Sequence, residues 1–140
     1  MDTHSPSAWS LLVYGGWTLS LLGAIAAHRV WLVLRGRRLA NSFSPWGEDV
    51  SPLAARLCRA HANCVENLPV FGAVVLAAVM PRQTPSIDTL APWLVGARVL
   101  QSAVHLASVS TRAVSLRFAF MAAQLALLAA MICRLCLACL

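Results

Sequence analysis

The segment from Ala8 to Ala27 contains no charged residue, and this feature constrains the fold more than any other. About 20 residues of helix are needed to cross the hydrocarbon core of a membrane. A second apolar segment, Phe118 to Cys133, is also uncharged. Charged residues make up only 11% of the chain, against roughly 25% in a soluble domain. The sequence therefore predicts an integral membrane protein that is entirely helical.

Four segments are predicted to span the membrane. They are residues 8–27 with a continuation through VWLVL, a segment from Pro52 to Met80, residues 90–109, and a segment from Arg112 to the C-terminus. The third is the least apolar, because it contains Arg98, Gln101 and His105. Short connections force neighbouring helices to be antiparallel, so residues 1–140 are predicted to form one antiparallel four-helix transmembrane domain.

Capping residues and prolines mark the helix ends. Ser51 and Pro52 form a start signal for the second helix, and Ser110 or the threonine after it can cap the fourth. Pro69 removes one backbone hydrogen bond inside the second helix, which predicts a kink or a local opening there.

The net charge of +6 reflects eleven arginines, no lysine and five acidic residues. A basic chain can indicate nucleic acid or acidic lipid as a partner, but here the arginines concentrate in the first and third connections. The positive-inside rule places these connections in the cytoplasm and both termini on the non-cytoplasmic side, with no nucleic-acid partner expected. A cleaved signal peptide is disfavoured, because Asp2 and His4 replace basic residues and the apolar run is too long.

The cysteines do not suggest a metal site. Cys133, Cys136 and Cys139 repeat in steps of three, which spreads them around a helix and does not direct four ligands at one ion. We interpret these residues as small packing residues and predict no metal, although palmitoylation near the end of the helix stays open.

Two polar stripes lie on predicted transmembrane helices. Relative to Arg56, helical geometry places Arg59 at about −60°, Asn63 at about −20°, Glu66 at about −80° and Asn67 at about +20°. In the third helix, the polar residues fall within an arc of about 100°. They are Arg98, Gln101, Ser102 and His105.

These stripes cannot face lipid, since a charged side chain at membrane depth costs at least a few kcal/mol unless it finds partners. In one reading, Glu66 pairs with Arg98 or Arg59 and the network only fixes helix register. In the other, one glutamate cannot neutralise Arg56, Arg59, Arg98 and Arg112, so an anionic ligand with one positive group completes the charge balance.

The segment RAHANCVENLPVF resembles the second-helix signature of the MAPEG family, the membrane-associated proteins in eicosanoid and glutathione metabolism. The segments VGARVLQSAVH and TRAVS are similar to the family's third helix and to its turn into the fourth. The resemblance extends nearly from end to end. It implies a homotrimer whose active sites lie between subunits and hold glutathione as co-substrate.

The resemblance also implies roles for individual residues. Glutathione-contacting positions are matched by Arg59, Asn63, Glu66, Arg98, Gln101 and His105, and Arg112 matches the arginine that stabilises the glutathione thiolate. Arg56 shares the second-helix stripe. Arg35 or Arg38, at the end of the first helix, is expected to provide a further carboxylate contact, and we select Arg38.

The sequence departs from the family pattern at Ala62, His105 and Leu116, where the family often has an arginine and two tyrosines. Tyr14 is the only tyrosine and is predicted to lie near the outer face, so no tyrosine hydroxyl is expected at the sulfur. The first hypothesis is a membrane transferase or peroxidase that acts with glutathione on a lipophilic electrophile. The alternatives are a non-catalytic glutathione- or lipid-binding scaffold and a small transporter that uses the intramembrane charges.

Overall fold

The computed structural model describes residues 5–138 and 140, and four α-helices account for most of them. Their bounds are α1 Pro6–Leu34, α2 Pro52–Val79, α3 Ala91–Ala107 and α4 Thr111–Ala138, with a short 3-10 helix at Thr84–Ser86. No strand occurs among the described residues. The predicted all-α fold with four helices is confirmed, while Asp2, His4 and Cys139 lie outside the described part of the chain.

Three of these helices, α1, α2 and α4, are long and apolar enough to cross a membrane. The fourth, α3, has 17 residues, or about 25 Å of helix. It ends sooner than predicted because Ser108 adopts an extended backbone with φ −155° and ψ 152°. The continuation of α1 through VWLVL is confirmed, since the helix ends only at Leu34.

Serines at the predicted positions begin α2 and α4. The Ser51 hydroxyl accepts a hydrogen bond from the Ala54 N–H at 3.1 Å, and the Ser110 hydroxyl accepts one from Ala113 at 3.3 Å. Such hydroxyls satisfy N–H groups that have no partner within the first helical turn. The second helix continues through Pro69 without a break.

The core lies where α3 packs against α1, α2 and α4. Its buried apolar side chains include Tyr14, Phe71, Leu94 and Met131. The rings of Tyr14 and Phe71 lie 5.8 Å apart and are tilted by 35°. Because α3 has a neighbour on three sides, its polar face is enclosed by the chain itself.

Polar contacts tie the connections to the helices. The Asp88 carboxylate accepts hydrogen bonds from the Ser5 hydroxyl and the Ser7 N–H, both at 2.9 Å, and so joins the second connection to the start of α1. In the first connection, Arg38 forms a 3.0 Å ion pair with Asp49 and also donates to the Asp49 carbonyl. The first connection is therefore a folded segment held against the ends of α1 and α2.

Candidate functional site

The polar face of α3 is buried as a unit. Helical spacing places Arg98, Gln101, Ser102 and His105 on one side of α3, and all four are buried in the structure. Only 1% of Arg98 is exposed. The sequence thus predicted correctly that these side chains share one arc, and the enclosing helices shield them from lipid.

Arg98 is the most buried charge of this cluster. Its Nη1 donates to Gln101 Oε1 at 2.8 Å, and its guanidinium carbon lies 5.9 Å from the centre of the Tyr14 ring. No described residue forms an ion pair with it, and its Nε and Nη2 atoms have no hydrogen-bond partner there. Buried polar groups normally have partners, so Arg98 retains two unused donors and a charge that no acid among the described residues neutralises.

Gln101 connects Arg98 to α4. Its Oε1 accepts from Arg98 and also from Gln124 Nε2 at 3.1 Å, while its Nε2 donates to the Arg117 carbonyl at 2.9 Å. The amide therefore uses both ends, and this fixes its orientation. Gln124 is itself held by a 2.9 Å bond from Nε2 to the Phe120 carbonyl.

His105 lies between side chains from two other helices. Arg117 Nη1 lies 3.0 Å from Nδ1 of the imidazole, and Asn63 Nδ2 lies 3.0 Å from Nε2. Arginine can only donate, so Nδ1 accepts and a neutral imidazole carries its proton on Nε2. The Asn63 side chain accepts a hydrogen bond from this N–H when its amide is turned so that the carbonyl oxygen, not Nδ2, faces Nε2.

A cavity of about 270 Å³ opens beside this cluster. Polar atoms of α2, α3 and α4 line one part of it, and apolar side chains of α4 line the rest. Its lining residues are Asn63, Gln101, His105, Val114, Arg117, Phe118 and Met121. An apolar wall with a few convergent polar groups is typical of a small-molecule site.

The remaining predicted site residues do not join this cluster within one chain. Arg59, Glu66 and Arg112 are exposed, and Arg59 forms a 2.9 Å ion pair with Glu48. No hydrogen bond or ion pair within the described chain involves Glu66, so the predicted pairing of Glu66 with Arg98 or Arg59 is absent there.

Two further predicted residues lie toward the first connection. Arg38 pairs with Asp49, and Arg56 is half-buried with an Nε atom that lacks a partner in the described chain. Of the nine candidate residues, the single chain therefore assembles four. They are Asn63, Arg98, Gln101 and His105.

Three residues of the cluster were not selected from the sequence. Arg117 was assigned to the third connection but lies within α4. Gln124 is a strongly polar residue inside the uncharged segment 118–133, and such a residue at membrane depth is itself a signal of a buried partner. Tyr14 gave no comparable signal, because its ring contributes to the core while its hydroxyl donates to the Cys64 carbonyl at 3.1 Å.

The described residues contain no group of three or more histidine, cysteine or acidic side chains able to hold a metal. Cys58 and Cys64 are buried, whereas Cys133 and Cys136 are exposed. Cys133 and Cys136 are therefore not buried by packing within the described part of the chain.

Comparison with known proteins places these observations in a family. The model of the MAPEG family matches residues 7–137. A search of curated proteins found no match, and neither did a search of solved structures. The match extends over all four helices, including the polar stripes of α2 and α3.

Proposed function

This chain belongs to the MAPEG family, and from that premise we propose that it activates glutathione within a membrane and directs its sulfur at a lipophilic electrophile. Membership supports a general role in glutathione-related transfer or eicosanoid metabolism at a membrane. The apolar helices α1, α2 and α4 support an integral membrane protein. The specific reaction is the part that we propose.

The uncompensated charge of Arg98 is the observation on which the proposal rests. A buried cation with two unused donors is unfavourable unless an anion or another acceptor approaches it. Arg98 does not line the cavity beside α4, but its partner Gln101 does, so the charge lies one hydrogen bond behind the cavity wall. An anionic ligand fits this electrostatic setting better than a neutral one.

Glutathione has two carboxylates, one ammonium and one thiol, and the candidate residues offer a partner for each. We assign the carboxylates to the arginine and amide donors, which are Arg56, Arg59, Asn63, Arg98, Gln101 and Arg38. Glu66 is the acid available for the ammonium, and His105 provides a further hydrogen-bonding contact. Bidentate arginine contacts are well suited to carboxylates.

Arg112 is assigned to the sulfur. A thiol with an ordinary pKa near 8.5 is mostly protonated at neutral pH, and a neighbouring guanidinium favours the thiolate, which is the nucleophile. In conjugation, the thiolate sulfur forms a bond to carbon: in an addition the electrophile then takes up the proton that the thiol lost, and in a substitution the leaving group departs with the electrons of its bond to carbon. In reduction, two glutathione molecules form a disulfide while a lipid hydroperoxide becomes an alcohol and water.

The proposal includes a homotrimer with sites between subunits. Arg59, Glu66 and Arg112 are exposed on the single chain, and exposed charges on membrane-spanning helices need a partner other than lipid. A second copy that covers this face would bring them to the cavity of its neighbour. We also propose that the arginine-rich first connection is cytoplasmic and that both termini are non-cytoplasmic.

The first experiment measures glutathione binding and thiolate formation in detergent-purified protein. We expect ultraviolet absorbance of the thiolate to rise with glutathione near neutral pH, and Arg112→Ala to abolish conjugation of a model electrophile while the assembly is retained. Arg134→Ala is the matched control, because Arg134 is also an exposed arginine on α4 but contacts Thr89 near the other end of that helix. Equal activity of Arg112→Ala and wild type would contradict the assignment.

The second experiment tests Glu66. We expect Glu66→Gln to weaken glutathione binding by roughly tenfold or more, because a charge-assisted bond to an ammonium is lost. Asp88→Asn is the control, since Asp88 is an acid of the second connection that accepts from Ser5 and Ser7 and contacts none of the candidate residues. If both variants bind glutathione as wild type does, Glu66 is not the ammonium partner.

A scaffold without catalysis is the second candidate, and the position of Tyr14 favours it. The hydroxyl of this residue is engaged with the Cys64 carbonyl, and Tyr14 does not line the cavity. The sulfur would therefore depend on Arg112 alone. Glutathione binding without thiolate or turnover for any electrophile tested would support the scaffold.

A further inference from the structure

A second and larger cavity, of about 390 Å³, lies beside the last turns of α1. Its walls combine the C-terminal part of α1 with the start of the first connection. The lining residues are Arg29, Val30, Val33, Leu34, Ala40, Asn41 and Phe43. None of them lines the cavity next to His105, so the two cavities are separate.

Arg29 holds the wall of this cavity in place. Its Nη2 donates to the Ser44 carbonyl at 2.8 Å, and its guanidinium carbon lies 5.4 Å from the centre of the Phe43 ring. These contacts fold the connection back along α1 and leave the charge of Arg29 without an acidic partner in the described chain.

Two more arginines just beyond the end of α1 are also unneutralised, although they do not line the cavity. The guanidinium carbons of Arg35 and Arg37 lie 5.5 Å and 5.2 Å from the Trp31 ring centre. Both side chains are exposed, and neither forms an ion pair with a described residue. Asp49, an acid of the same connection, forms an ion pair with Arg38.

The length of α1 gives the depth of the cavity in the membrane. The helix has 29 residues, or about 43 Å, which exceeds a hydrocarbon core of about 30 Å. If the uncharged segment 8–27 fills the core, Val30 and Leu34 lie at its boundary, and both are exposed. The cavity thus opens where acyl chains meet headgroups.

We propose that this cavity binds an anionic phospholipid. One acyl chain packs against Val30, Val33 and Phe43. The Arg29 guanidinium, which lines the cavity, donates to the phosphate, and the charges of Arg35 and Arg37 attract it from just beyond α1. Arginine forks match phosphate oxygens, and clustered basic residues at a membrane surface favour acidic lipids. Five of the seven lining residues are apolar, which favours an occupant with an acyl chain over a soluble anion, because the chain covers that apolar surface.

The test counts lipids bound to the full-length protein in neutral detergent by native mass spectrometry. The probes are phosphatidylglycerol and phosphatidylcholine with identical acyl chains. We expect phosphatidylglycerol to be retained at least about fivefold better, which corresponds to one favourable arginine contact at the headgroup. The double variant Arg35→Gln/Arg37→Gln should lose this preference, whereas Arg82→Gln, an exposed arginine in the second connection, should keep it.

A further variant separates the cavity from the charges. Ala40→Phe fills the cavity and leaves every arginine in place, so it should lower phosphatidylglycerol retention. The proposal is overturned if wild type retains both lipids equally, or if Ala40→Phe retains as much phosphatidylglycerol as wild type. Displacement of the lipid by an equal concentration of glycerol 3-phosphate, which has the charged group but no acyl chain, would also overturn it.

Discussion

Gln101 illustrates how a neutral side chain can accommodate a buried arginine. Its Oε1 accepts from both Arg98 and Gln124, and its Nε2 reaches the Arg117 carbonyl. Gln124 occupies a different position in the same network, because its Oε1 has no partner among the described residues. Removing either amide therefore has different consequences, although both residues are buried.

We expect Gln101→Leu to destabilise the protein by about 2–4 kcal/mol, because it leaves the Arg98 Nη1 without an acceptor and the Arg117 carbonyl without its Gln101 donor. Gln124→Leu should cost less than about 1 kcal/mol. It removes an oxygen that has no partner among the described residues, together with the Nε2 group that donates to Gln101 and to the Phe120 carbonyl. Thermal unfolding in detergent measures both variants. Equal losses would mean that Gln101 is not the centre of the network.

At this scale, helical geometry was enough to predict the buried stripe of α3. Four polar residues within one arc of a membrane-spanning helix must face protein, and the structure encloses all four. Their partners were less predictable. Arg117 and Tyr14 come from helices whose rotation about their own axes depends on tertiary packing, and a single sequence does not specify that rotation.

At the scale of the elements, the connection between α1 and α2 depends on two glycines with left-handed backbones. Gly36 has φ +63° and Gly47 has φ +69°. Their surroundings differ. A Cβ atom on Gly47 would lie 3.0 Å from the Ala54 carbonyl carbon and 3.1 Å from Cys58 Sγ, whereas one on Gly36 would meet nothing within 4 Å.

We therefore expect Gly47→Ala to cost more than Gly36→Ala. Both substitutions place a Cβ in the left-handed region at about 1–2 kcal/mol, and Gly47→Ala adds about 1–3 kcal/mol of overpacking against the start of α2. The measurement is the difference in unfolding midpoint between the two variants in the same detergent. If the two midpoints coincide, the connection relaxes away from α2 and does not pack as the structure has it.

The helices were predictable because their signals are local. Long, mostly apolar segments indicated their number, and Ser51 and Ser110 set two of the starts through hydrogen bonds within one turn. The folding back of the first connection was not predictable, because it depends on pairs such as Arg29 with Ser44 and Arg38 with Asp49. Several arginines in that segment offer equivalent pairings, and the sequence does not choose among them.

At the scale of the whole molecule, the exposed charges of α2 are not explained by one chain. Glu66 lies on a helix of 28 residues that is apolar enough to span a membrane, yet it is exposed and has no partner in the described chain. Lipid would penalise that arrangement by a few kcal/mol. A neighbouring copy and lipid would respond differently to an apolar substitution at this position.

Glu66→Leu distinguishes these environments by the sign of its effect. Glu66 can pair with positive groups of a neighbouring copy and with the ammonium of a bound ligand only if a second chain covers it. In that case Glu66→Leu leaves those positive groups without an acid, and we expect fewer trimers and a lower unfolding temperature in detergent. If the side chain faced lipid, leucine would instead raise the unfolding temperature and leave the oligomer unchanged, because a charge is removed from an apolar surface. Native mass spectrometry gives the oligomer, and Ser20→Leu, an exposed polar position on α1, controls for the general effect of an added leucine. An unchanged assembly together with higher stability would remove the argument for a site shared between subunits.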